Sequence, residues 1–238
     1  MMTSLLGAAM CTGCVSYQDT TTAHGTVRST AMTTADLAQT DTNRMATLAM
    51  RANLESLYLL ADKLYKRNPR EWRKSGATTQ AQALTDLRAA VEGRRTVADL
   101  KGLRDVKALS LSLDPAFGGD RVAAFIFSLS DTIITAHGGS TVFYLSDGLD
   151  AQRIYNAARN VEIAAWLLAS RRDVAGHPLL FANEIADVRN VSFEREFGKI
   201  IGRLDLLAEM LDEKYRRAGI GYVQNLLGAQ FLQFLPVR

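Results

Sequence analysis

Ser192-Phe193-Glu194-Arg195-Glu196-Phe197-Gly198-Lys199-Ile200-Ile201-Gly202-Arg203-Leu204-Asp205-Leu206-Leu207-Ala208-Glu209-Met210-Leu211-Asp212-Glu213-Lys214-Tyr215-Arg216-Arg217 is the clearest pattern in the chain. Phe193, Phe197, Ile200, Ile201, Leu204, Leu207, Ala208, Leu211 and Tyr215 recur at intervals of three and four, which places them on one stripe of an α-helix. Ser192 is suited to accept from the first free amides. Glu194 and Glu196 stand at the positive end of the helix dipole, and Lys214, Arg216 and Arg217 at the negative end. Gly219 is expected to close this helix, with a last apolar stretch from Tyr222 to Leu235 ending at Pro236.

The same period recurs toward the amino terminus. A helix is predicted from about Asp36 to Arg67, through Leu48, Leu54, Leu57, Tyr58, Ala61, Leu64 and Tyr65. Asn68-Pro69 interrupts it and starts a short helix carrying Trp72. Another is predicted from Thr79 to Glu92, ended near Gly93, and a weaker one through Val97, Leu100 and Leu103. Leu109-Ser110-Leu111-Ser112-Leu113 alternates with period two and reads equally as a short strand or a helix end. Val122, Phe125, Ile126, Leu129 and Ile133 define a further helix face, stopped by His137-Gly138-Gly139. The next helix is expected to start at Asp147 and run to Ser170. Its second half, with Val161, Ile163, Ala164, Trp166, Leu167 and Leu168, is apolar nearly all round, which suits the centre of a bundle. No repeat of fixed period is evident. The expected fold is therefore all-α, a multi-helix bundle over residues 33–238.

The first residues differ in kind. An apolar run, Leu5-Leu6-Gly7-Ala8-Ala9-Met10-Cys11, leads into Thr12-Gly13-Cys14. This segment resembles the processing site of bacterial lipoproteins, in which a small residue precedes a cysteine whose thiol is diacylglycerated before the signal is cut away. The resemblance covers residues 1–14 only. It implies a signal peptide at 1–13, Gly13 as the small residue before the cut, and Cys14 as the acylated first residue, anchored through methylenes that contribute about 0.8 kcal/mol each. Val15 following the cysteine, rather than Asp, implies by the same resemblance the periplasmic face of the outer membrane. Cys11 and Cys14 also fit a C-x-x-C redox or metal pair. That reading needs a preceding strand and a βαβ frame, and no second pair or nearby His completes a zinc site.

Residues 14–32 are Thr-rich, with few aliphatics and no strong period. They cannot bury enough apolar surface to offset ordering entropy and are read as a flexible tether. Both cysteines lie ahead of the bundle, so no disulfide can form within it. With 238 residues, 47% of them hydrophobic, the chain can bury a core without one. A formal charge of +3, from 28 basic and 25 acidic residues, carries no nucleic-acid footprint. No stretch after residue 14 reaches 18 consecutive apolar residues, the length that marks a membrane span.

Chemistry is sparse. His137-Gly138-Gly139-Ser140 resembles the oxyanion loop of esterases, but the nucleophile elbow G-x-S-x-G that such enzymes need is missing, and a helix-ending turn explains the glycines. His24, His137 and His177 share no metal-ligand spacing and are read as surface or turn residues. No phosphate-cradling loop is present, so neither cofactor nor metal is indicated. Asp147 with Asp150, and Asp212 with Glu213, suit helix ends, and the basic run Arg70-Glu71-Trp72-Arg73-Lys74 a solvated one. Asp131, Arg159 and Glu162 are polar residues on otherwise apolar helices. Because an unpaired buried charge costs several kcal/mol, they are expected to form one buried network.

The sequence thus leads to a non-enzymatic expectation. It describes an outer-membrane lipoprotein held by its lipid anchor, with a periplasmic helical domain that serves as a structural or assembly partner for an envelope protein. The alternative is a small-molecule- or glycan-binding domain, or a hydrolase, with a polar pocket lined by Asp131, Arg159 and Glu162. An exposed apolar patch over a packed interior would favour the first, and a deep polar cleft holding those three residues the second.

Overall fold

The computed structural model describes Thr21–Thr22, Gly25–Thr26, residues 38–183 and residues 191–232, with the side chains of 227–232 left aside. The signal 1–13, Cys11, Cys14, His24 and most of the tether 14–32 lie outside the described residues. The chain divides into two units, Met1–Leu37 and Ala38–Arg238. Of the first, β1 (Thr21–Thr22) and β2 (Gly25–Thr26) pair antiparallel, Thr21 opposite Thr26 and Thr22 opposite Gly25.

The second unit is an all-α bundle of seven helices among the described residues: α1 (Asp41–Arg67), α2 (Pro69–Lys74), α3 (Gln80–Glu92), α4 (Asp105–Ser112), α5 (Arg121–Ala136), α6 (Ala151–Ser170) and α7 (Ser192–Leu232). Side-chain oxygens set several starts. Thr40 accepts from the Asn43 amide at 3.1 Å, Thr79 from Gln82 at 3.1 Å, Asp120 from Ala123 at 3.0 Å and Asp150 from Arg153 at 3.1 Å. The helix α5 ends at His137, after which Gly138 and Gly139 adopt φ of 77° and 87°, a region that favours glycine.

The centre of the bundle is α5, not α6. In α5 every residue but Thr135 and Ala136 is buried, and Phe125, Ile126 and Phe127 lie wholly inside. The second half of α6 instead turns Ile163 and Trp166 outward, Trp166 being 66% exposed. Helices α1, α3, α4 and α6 pack against α5, and the core takes in Met50, Leu57, Leu60 and Leu64 of α1, Leu87 and Val91 of α3 and Ala158, Val161 and Ala164 of α6, while Phe193, Phe197, Ile200 and Leu204 join it from α7, which packs on α1 and α6. The α7 stripe is therefore buried as its spacing predicts up to Leu211, apart from the partly buried Ile201, and Tyr215 is exposed.

Some boundaries differ from the sequence reading, and one choice it left open is resolved. The helix α6 starts after Asp150, because Asp147 is used in a tight turn, its carboxylate accepting from the Tyr144 amide at 2.8 Å. The segment Leu109–Leu113 is mostly helical. Ala108, Leu109 and Ser112 bury one face of α4, a spacing that fits 3.6 residues per turn and not a strand. Beyond Lys214, α7 does not stop at Gly219 but continues to Leu232. A glycine costs a helix interior only about 1 kcal/mol, and without a left-handed φ it is no terminator. The expected weak helix near Leu100 is one 3-10 turn, Ala98–Leu100.

Candidate functional site

The connector between α3 and α4 carries Arg94 and Arg104, and both point at Asp131 in the middle of α5. Arg104 Nε donates to Asp131 Oδ2 at 3.0 Å while its Nη2 bonds Oδ1, and Arg94 Nη2 reaches Oδ1 at 3.3 Å. The backbone amide of Asp105, first residue of α4, donates to Asp131 Oδ2 at 3.2 Å. Arg94 and Arg104 also cap loose carbonyls, Gly139 at 3.0 Å and Arg94 itself at 3.2 Å. One buried carboxylate, 3% exposed, thereby ties the α3–α4 connector and the turn after α5 to the central helix.

Burial alone would push the Asp131 carboxyl up. The Arg104 hydrogen bonds and charge, the Asp105 amide and Arg94 outweigh it and hold the group below the usual carboxylate range. Asp105 moves the other way, raised by burial and by the neighbouring Asp131 charge against a hydrogen bond from Thr135. Two carboxyls side by side with opposite shifts are the arrangement in which one holds a proton more readily than the other. The connector is strained as well: Arg94, Lys101 and Asp105 have φ of 50°, 51° and 51°, left-handed conformations uncommon in non-glycine residues. Beside Asp105 a groove of about 280 Å³ runs between α4, α5 and α6, lined by Thr132, Thr135, Arg153, Asn156 and Asn160.

Arg159 and Glu162 do not join this cluster. Arg159 Nη2 contacts Glu162 at 3.1 Å and grips Asp205 of α7 at 2.8 and 2.7 Å, with its guanidinium 4.8 Å from the Tyr155 ring. All three charged groups are about a third or more exposed. The single buried network expected of Asp131, Arg159 and Glu162 is thus two separate ones, because Asp131 faces the α3–α4 connector and Arg159 lies on the flank of α6 that meets α7. The arginines at 94 and 104 were visible in the sequence, but nothing in their spacing shows a loop folding back onto residue 131.

A second buried polar set sits at the start of α5. The Tyr65 hydroxyl donates to Asp120 at 2.7 Å, and the Arg121 amide to Glu71 at 2.8 Å. The Arg121 guanidinium satisfies the carbonyls of Ser112, Asp114 and Phe117 at 2.5, 2.8 and 3.0 Å. This closes the loop Leu113–Asp120 over the bundle, and puts Glu71 of the basic run inside rather than at a solvated helix end. His137 stands in the turn that ends α5, one of the two placements expected of it, but is buried and not on the surface. Its Nδ1 bonds the Ile133 carbonyl at 2.8 Å, its ring lies 5.5 Å from Phe143, and burial pulls its pKa down to about 4. His177 is exposed, within 3.6 Å of Asp173. Among the described residues no three His, Cys, Asp or Glu side chains stand close enough to share a metal ion.

A largely apolar groove of about 270 Å³ lies between α1 and α7, lined by Met45, Leu48, Ala49, Ala52, Leu206 and Met210. At its end Arg203 crosses between the helices to the Ala52 carbonyl at 3.3 Å and the Ser56 hydroxyl at 3.1 Å. Among the described residues no helix is long and apolar enough to cross a membrane. No family model, curated protein or solved structure matches the chain.

Proposed function

We propose that the chain is an outer-membrane lipoprotein, acylated at Cys14 and facing the periplasm, whose helical domain is a structural or assembly partner docking onto an envelope protein through the α1–α7 groove. The observation that carries the docking half is that Met45, Leu48 and Leu206 are exposed on a bundle whose interior is already closed. Large apolar side chains gathered around a groove mark interaction surfaces, and flexible methionines suit a helix-in-groove contact. The anchor rests on the resemblance of residues 1–14 to lipoprotein signals.

A photo-crosslinking residue placed at Leu206 in cells tests the docking surface. A discrete adduct that disappears when Met45 is changed to Asp, and that a crosslinker at Gln152 on α6 does not give, is the expected result. Equal or absent adducts at the two positions would contradict it. The second reading, a small-molecule- or glycan-binding domain or a hydrolase, would now rest on the groove beside Asp105, since Asp131 pairs with Arg94 and Arg104 while Arg159 and Glu162 belong to a separate cluster with Asp205. Saturable binding of a solute there, lost in Asn160→Leu, would favour it.

A further inference from the structure

On the side of α1 away from the α1–α7 groove, Met50, Arg51, Leu54, Glu55 and Tyr58 follow one another at steps of one and three and so share a stripe of the helix. With Val91 and Glu92 at the end of α3, Ile134 of α5 and Val142 in the turn beyond it, they line a recess of about 240 Å³. Sites for drug-sized ligands run to roughly 300–1,000 Å³, so this recess suits a small solute. Its floor is apolar, because Met50, Leu54, Val91 and Ile134 are all buried.

One polar atom interrupts that floor. Tyr58 is 8% exposed, and its buried hydroxyl has no hydrogen-bond partner among the described residues. A helical side chain leans toward the amino end of its helix, so the Tyr58 ring lies over the turn of Leu54 and Glu55 and carries the hydroxyl into the recess. Buried hydroxyls are normally paired, and an unpaired one is relieved by a group that binds beside it. Burial first, then the charges of Glu92 and Glu55 against that of Arg88, push the Tyr58 pKa up to about 12. The hydroxyl therefore stays protonated, where negative charge outweighs positive, a setting that suits a cationic donor.

The rim is charged but not fully paired. Glu55 is taken by Arg88, whose Nη2 meets the carboxylate at 3.2 Å and whose guanidinium lies 4.3 Å from the centre of the Tyr58 ring. Arg51 and Glu92 are exposed, and among the described residues neither pairs with another charge. The mouth thus offers one free cation and one free anion beside an apolar interior.

We infer that the recess binds a small zwitterion with an apolar side chain, an aliphatic α-amino acid: Arg51 takes its carboxylate, Glu92 and the Tyr58 hydroxyl its ammonium, and Met50, Leu54, Val91 and Ile134 its side chain. A guanidinium holds a carboxylate through two parallel hydrogen bonds, and a carboxylate holds an ammonium through charge-assisted ones. A fatty acid would bring its charge against Glu92, and a simple amine would bring its charge against Arg51, so only a molecule carrying both signs satisfies the rim. The site is separate from the α1–α7 groove and goes beyond the proposed docking role.

Titration calorimetry on the full chain with L-leucine, 4-methylpentanoate and 3-methylbutylamine tests the assignment, since the three share an aliphatic tail and differ in head group. Leucine is expected to saturate one site, and each analogue to bind about tenfold more weakly or worse, the worth of one charge-assisted contact. Arg51→Gln should bring leucine down to the level of 3-methylbutylamine, and Glu92→Gln to that of 4-methylpentanoate. Tyr58→Phe should weaken leucine by about fivefold yet leave the urea midpoint of the free protein unchanged, because its hydroxyl has no partner in the bundle to lose. Absence of saturable leucine binding, equal binding of the three probes, or leucine binding unchanged by Arg51→Gln and Glu92→Gln would overturn the proposal. So would a urea midpoint lowered by Tyr58→Phe, which would show the hydroxyl already held by the bundle itself.

Discussion

At the residue scale, the two charged clusters differ in burial, and this sets what each contributes. Asp131 is enclosed and holds Arg94, Arg104 and the Asp105 amide, so Asp131→Ala leaves two guanidiniums facing one another across the emptied site. A loss of about 3 kcal/mol in urea unfolding is expected, near the low end for a broken buried pair because both arginines keep contact with water. Arg159→Ala removes a bridge between partly exposed groups and should cost no more than about 1 kcal/mol. His137 gives a pH signature. Folding buries the neutral imidazole and lowers its pKa from 6.5 to about 4. As pH falls through 6.5 the unfolded chain takes up a proton that the folded chain refuses, so stability declines down to about pH 4 and is flat below it. The decline attributable to this residue is up to about 3 kcal/mol, and His137→Gln should remove that part of the slope. Little of this was legible beforehand. Charges on apolar helices announced that pairing was needed, but the partners of Asp131 come from a connector distant in sequence, and a histidine before two glycines looks like any turn until Phe143 is seen against it.

At the scale of elements, the helices were legible wherever apolar periodicity and capping agreed. Thr79, the Asn68-Pro69 break and the α7 stripe from Phe193 to Leu211 are examples. The sequence misled where hydrophobicity was counted without direction. The second half of α6 looked like a bundle centre, yet Trp166 faces solvent and the central place belongs to α5, whose Ser128, Ser130 and Thr132 hydroxyls are absorbed by carbonyls one turn back at 2.6, 2.9 and 2.8 Å. Thermal unfolding should separate the two helices: Phe125→Ala is expected to cost about 3–5 kcal/mol and Trp166→Ala well under that. The same contrast runs along α7. Amides from Phe197 to Leu211, past the unbonded first turn, should exchange with solvent only through global opening, and those from Arg216 to Leu226 far faster. Equal protection along the whole helix would show that the outer half is already packed.

For the whole molecule, the bundle leaves apolar side chains uncovered along the α1–α7 groove and on the outer half of α7, and the proposed function assigns the groove to a partner in the envelope to which Cys14 would anchor the chain. Periodicity could deliver the all-α class because each helix carries its own signal. It could not deliver surfaces, since exposed Met45 and Leu206 look the same in sequence as buried Met50 and Leu207. The proposed location depends on one chemical event at one thiol. Growth of cells expressing the full chain with a palmitate analogue, comparing wild type with Cys14→Ser, tests it directly. Label on the wild-type protein and none on the variant is the predicted result. Mature protein that retains residues 1–13 and carries no fatty acid would contradict it.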